Sequence, residues 1–152
     1  MTSTPAETMK FEMHPHLLWD VITRQAGSLS KALLEGVMNS VDAKATRIDL
    51  TITPEGFELR DDGGGFGSRD EVMRYFATFG APHSEGDARF GRFRMGRGQL
   101  FAFAATVWRS NSSEMTVDIK KMGLDFAYAE LAEPVVGCVV SGTFYELLTA
   151  SE

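Results

Sequence analysis

The stretch from Thr46 to Gly67 constrains the fold more than any other part of the chain. Thr46 to Thr53 alternates polar residues with Ile48, Leu50 and Ile52, which is the period of a half-buried strand. Pro54-Glu55-Gly56 supplies a turn, and Phe57 to Arg60 supplies the returning strand. The hairpin then runs without a linker into Asp61-Asp62-Gly63-Gly64-Gly65-Phe66-Gly67. A carboxylate at a strand end beside glycines can sit partly buried and accept a hydrogen bond from an amino group, such as the exocyclic amine of adenine. Glycines let a flat ring approach the backbone. A plain Asp-Gly turn fits the same residues. A dinucleotide-binding loop does not, because the Gly-x-Gly-x-x-Gly register is imperfect and no βαβ unit surrounds it. An EF-hand fails on its ligand spacing and its missing terminal glutamate.

A helix precedes the hairpin. Ser28 or Ser30 caps its start, it runs to about Ala43, and the apolar Leu33, Leu34, Val37, Met38 and Val41 supply its buried side. Glu35, Asn39 and Asp42 are spaced by four and three residues, so they share one stripe beside that apolar side. The Asn39 amide oxygen is a hard ligand suited to Mg²⁺. Glu35, one turn earlier, can orient or deprotonate a water. The bland alternative is three solvated surface residues. Gly36 and Asn39 weigh against it, because both are poor helix formers kept in a helix interior.

The other elements follow from the same signals. Proline at position 15 starts a helix carrying Leu17, Leu18, Val21 and Ile22. Ser68 caps a helix from about Arg69 to Ala77. Residues 78–97 form a long loop with little apolar periodicity, and loops of that length in a small domain are usually functional. It packs Arg89, Arg92, Arg94 and Arg97 among Gly91 and Gly96, with Gly98 following. Glycine amides feeding a helix N-terminus form an anion site, and arginines add bidentate phosphate contacts. A basic loop that binds nucleic acid or nothing is the alternative. A helix from Gly98 to Ala105 follows, then antiparallel strands to Leu148, with turns at Asn111-Ser112-Ser113, Met122-Gly123 and Ser141-Gly142. This order predicts an α+β two-layer sandwich, with a mixed, mostly antiparallel sheet covered on one face by helices. Residues 1–9 read as a loose tail and 10–150 as one domain.

These features resemble the GHKL ATPases, the superfamily of gyrase, a heat-shock chaperone, histidine kinases and MutL. Glu35-x-x-x-Asn39-x-x-Asp42-Ala43 resembles their N-box, and Asp61-x-Gly63-x-Gly65 their second motif. Phe79-Gly80 through Gly91-Arg92-Phe93-Arg94-Met95-Gly96-Arg97-Gly98 resembles the ATP lid, and Gly142-Thr143 the final motif. The four stand in family order across almost the whole chain, and the N-box is closest in style to the chaperone, MutL and MORC branches. The resemblance implies a Bergerat-type ATP-binding fold that takes ATP and Mg²⁺. It implies Glu35 as general base, Asn39 as Mg²⁺ ligand, and Asp61 as adenine partner with Thr143 assisting. Gly63, Gly65 and Phe66 would shape the adenine pocket, and Asp42 and Ala43 would line it near Asn39. Gly96 and Gly98 would give amides to the phosphates, with Arg94 standing where a glycine is usual.

The expected function is Mg-ATP binding with slow hydrolysis, used as a conformational switch through a lid over residues 79–98. ATP-hydrolysing members usually carry a following domain. This chain stops soon after Gly142-Thr143, so a fragment, dependence on a partner, or slow turnover is expected. A homodimer or a protein partner would be controlled by the lid. The alternatives are a small serine kinase of the anti-sigma type and a non-catalytic interaction module. Net charge is −6, which does not point to nucleic acid as the main partner, although the Arg89–Arg97 cluster could serve one. The single cysteine, Cys138, lies among apolar residues and fits a core position in a reducing, cytosolic setting. No apolar run approaches the ~20 residues needed to span a bilayer.

Overall fold

The computed structural model describes residues 4–12, 14–76, 96–123 and 125–149. Most of the predicted lid, including Arg89, Arg92 and Arg94, lies outside them. The described elements run α1 (Pro15–Ala26), α2 (Leu29–Asp42), β1 (Ile48–Ile52), β2 (Gly56–Asp61), α3 (Arg69–Glu71) and a π-helical turn (Val72–Phe76). They continue with α4 (Gly96–Phe103), β3 (Ala104–Val117), α5 (Ile119–Met122) and β4 (Ala127–Phe144).

The strands form one sheet in the order β1-β2-β4-β3, and all of its pairings are antiparallel. One face carries the helices. On β2, Phe57, Leu59 and Asp61 are buried and Glu58 and Arg60 are exposed. The register extends these inward rows across the sheet. Leu59 stands beside Val140 and then Trp108, and Asp61 beside Cys138 and then Ser110. The helices settle over these rows. Helix α2 comes so close that a Cβ on Gly36 would lie 3.1 Å from Leu59 Cδ2, which explains the glycine in mid-helix. Phe76 plugs the core beneath α4, with its ring edge-on to Phe66, Phe101, Trp108 and Phe126 at 5.4–6.3 Å.

Helix starts follow the sequence. His14 caps α1 by accepting from the His16 amide, and Ser28 caps α2 by accepting from Lys31. Several local expectations are corrected. Leu34, Met38 and Val41, expected on the buried side of α2, are 46–58% exposed, because the helix buries the face of Ala32, Leu33, Gly36 and Ser40 instead. The segment after Ser68 makes one α-turn and then widens to a π-turn, which buries both Val72 and Phe76. Asn111-Ser112-Ser113 is not a chain reversal. It is a bulge inside the long β3, where Asn111 takes φ 50° and the register to β4 shifts. Ser141-Gly142 is not a turn either, because it lies within β4 opposite Glu58 and Phe57. Helix α4 begins at Gly96 and ends at Phe103, and Ala104 already belongs to β3.

Candidate nucleotide site

A small cavity of about 50 Å³, open at its mouth, lies between α2 and the sheet. Asn39, Ser40 and Ala43 line it from α2, Asp61, Gly65 and Phe66 from the end of β2 and its loop, and Trp108, Cys138 and Val140 from the floor. A larger hollow at another part of the fold, near Trp19, Phe103 and Tyr145, gathers none of the motif residues.

Asp61 is only 8% exposed, so its carboxylate requires partners. It has two. The Ser40 hydroxyl donates to Oδ2 at 2.6 Å, and the Gly63 amide donates to Oδ1 at 2.9 Å. A carboxylate offers about four acceptor directions, so these two bonds hold the group and leave capacity for a donor in the cavity. The next residue fixes the loop. Asp62 accepts from the Thr46 and Arg47 amides at 2.7 and 2.9 Å and from the Thr46 hydroxyl, which hold its carboxyl below the usual range. The Gly64 amide donates to the Ala43 carbonyl at 3.1 Å, tying the glycine loop to the end of α2.

The far wall rests on Ser110. It accepts from the Phe66 amide at 2.8 Å and donates to the Gly137 carbonyl at 2.6 Å. Asn111, displaced by the bulge, donates to the Phe66 carbonyl at 2.6 Å. Gly65 takes φ 61°, and a Cβ there would stand 2.0 Å from Ser110 Oγ, so this position excludes any side chain. Burial and the neighbouring Asp61 charge push the Cys138 thiol up to about 12.

The structure brings together Asn39, Ala43, Asp61, Gly65 and Phe66, with Gly63 holding Asp61 from behind. Glu35 is half-buried one turn before Asn39, and Asp42 is half-buried one turn after it. Gly96 opens α4 and Gly98 lies in its first turn, while Arg94 falls outside the described residues. Thr143 is not brought to the cavity. It pairs with Gly56, at the opposite end of β2 from Asp61, and the residue opposite Asp61 is Cys138. Five strand residues separate the two, roughly 16 Å. Ser40, Ser110, Gly137 and Cys138 were not picked out by sequence as site residues.

The family model for histidine kinase-, DNA gyrase B- and HSP90-like ATPases matches residues 27–136, well over half of the chain. The chain belongs to that family. None of the curated proteins matches it significantly. The match takes in α2, the hairpin, the glycine loop and most of the sheet, the elements that build this cavity. Family membership supports ATP as the guest. Among the described residues no group of three His, Cys, Asp or Glu side chains converges. The donor set is instead an amide oxygen beside a cavity, which suits Mg²⁺ shared with phosphate oxygens. No helix among the described residues is long and apolar enough to cross a membrane.

Proposed function

We propose that this chain is a Mg-ATP-binding domain that hydrolyses ATP slowly and works as a nucleotide-driven switch through residues 79–98. The observation that carries the reading is the buried Asp61 carboxylate, held by Ser40 and Gly63 at the floor of a cavity. The adenine amine donates to Asp61, and the base lies over the Gly65–Phe66 turn. Asn39 stands on the wall of the cavity and would hold Mg²⁺ against the phosphates. When bound, that ion neutralises phosphate charge. The phosphates extend from the base toward the start of α4 at Gly96 and Gly98, where free amides favour an anion.

Glu35 gives the reading its catalytic half. It lies one helical turn from Asn39 and is partly exposed, so it can take a proton from a water beside the phosphates. Closure of the segment containing Arg92 and Arg94 over the nucleotide would alter the surface offered to a partner. Turnover by Glu35→Ala tests the hydrolytic part. ATP binding should persist while turnover falls by about 10² or more, as for loss of a general base. Unchanged turnover would remove Glu35 from that role.

A further inference from the structure

Asp61, Cys138 and Ser110 stand side by side on β2, β4 and β3. Cross-strand partners leave a sheet on the same face, with Cβ atoms roughly 5 Å apart. Asp61 and Cys138 therefore reach the cavity as neighbours, and both line it. Gly137 fixes this arrangement. It takes φ 73°, and a Cβ there would stand 1.9 Å from the Asp61 carbonyl oxygen, so β4 lies against β2 at this point with no room for a side chain. From the other side, the Ser110 hydroxyl donates to the Gly137 carbonyl at 2.6 Å.

Most donors around Asp61 are already spent. The Ser40 hydroxyl and the Gly63 amide give their protons to Asp61 itself. Ser110 donates to Gly137, and the Trp108 indole donates to Thr106 at 2.9 Å. Among the described residues that line the cavity, the side-chain donors left over are the Asn39 amide and the Cys138 thiol. Asn39 stands on the α2 wall, whereas Cys138 stands directly beside Asp61. The thiol is half-buried and takes no hydrogen-bond partner among the described residues. Burial and the Asp61 charge push it up to about 12, so it keeps its proton at neutral pH.

In adenine the carbon that bears the amine also bonds a ring nitrogen, N1, with a free lone pair. A base whose amine meets Asp61 presents that lone pair to the neighbour of Asp61. We propose that Cys138 is a second base-reading residue, whose S–H donates to N1 while Asp61 accepts from the adjacent amine. This assignment rests on the adenine reading of the cavity. It makes the floor a two-point reader, with an acceptor at 61 and a donor at 138. Guanine and hypoxanthine present a carbonyl and an N–H at the same two points, so like would meet like at both. Replacing N1 by carbon keeps the amine for Asp61 and removes only the partner of Cys138.

Calorimetric titration of the Mg²⁺-containing protein with ATP and with 1-deaza-ATP, which carries carbon in place of N1, tests this. The parent should bind ATP more tightly than the analogue by at least roughly threefold, the range of one weak neutral hydrogen bond. Cys138→Ala should bind the two alike, and Cys138→Ser, which restores a donor, should recover the preference. The same ATP preference in Cys138→Ala as in the parent overturns the assignment. An infrared readout on the parent stands independently of any variant. The chain has one cysteine, so it has one S–H stretching band. ATP should move that band to lower frequency and 1-deaza-ATP should leave it in place. A band unmoved at ATP saturation overturns the assignment even if the variants do not fold. Absence of ATP binding, or full ATP affinity in Asp61→Asn, removes the adenine reading and the assignment with it. An intact Asp61 effect with no N1 effect removes the role of Cys138 alone.

Discussion

The hydroxyl of Ser40 donates to Oδ2 of Asp61 at 2.6 Å, with both residues buried. This bond joins the last turns of α2 to the end of β2, twenty-one residues apart in sequence. It couples the helix that carries Glu35 and Asn39 to the carboxylate at the cavity floor. Whatever guest meets Asp61 therefore meets a group oriented by α2.

Ser40→Ala removes that donor and leaves a buried carboxylate oxygen one partner short. A deficit of this kind costs about 1–3 kcal/mol. Urea unfolding should show that loss of free energy as a lower midpoint with an unchanged slope. Calorimetric titration should show ATP bound more weakly, because Asp61 is then held by the Gly63 amide alone.

Gly65→Ala should be more disruptive than a surface glycine replacement. The new Cβ would fall 2.0 Å from Ser110 Oγ at a positive φ, so both the backbone and the Ser110 bridge must move. Backbone strain alone is worth roughly 1–3 kcal/mol. Thermal unfolding should report the loss. Gly64→Ala is the control, since a Cβ there would lie 3.9 Å from its nearest neighbour.

Cys138 is half-buried in the cavity wall, and its surroundings and the nearby Asp61 should keep its thiol protonated. With its value pushed up from 9.0 to about 12, its thiolate fraction at neutral pH falls about a thousandfold. A chromogenic disulfide reagent should label the folded protein very slowly and the urea-unfolded protein at the rate of a free cysteine. Rapid labelling in the folded state would contradict the geometry of the cavity floor.

Much of this was legible because it is local. Alternation over Thr46–Thr53, the Pro54-Glu55-Gly56 turn, the start at Pro15 and the caps at Ser28 and Ser68 depend on neighbours along the chain. The structure follows them. The errors are register errors. Asn111-Ser112-Ser113 has turn composition, but its neighbours pair with β4, and asparagine tolerates the left-handed backbone of a bulge. Gly142-Thr143 looks like the start of a strand near the site. Only the β2–β4 register shows that Cys138 faces Asp61 instead. Ser40 was invisible for a similar reason. A serine beside Asn39 reveals nothing of a carboxylate twenty-one residues away, until the sheet packs under the helix.

The central claim is that Asp61 receives the amino group of adenine in this cavity. Isothermal titration with ATP, with GTP, and with the Asp61→Asn protein tests it most directly. Guanine presents a carbonyl where adenine presents the amine, so GTP should bind at least tenfold more weakly than ATP. Asp61→Asn should lose at least tenfold for ATP, as expected when a hydrogen bond worth about 1.5–3 kcal/mol to a charged group is removed. Equal affinities for ATP and GTP, or full ATP affinity in the Asp61→Asn protein, would contradict the account.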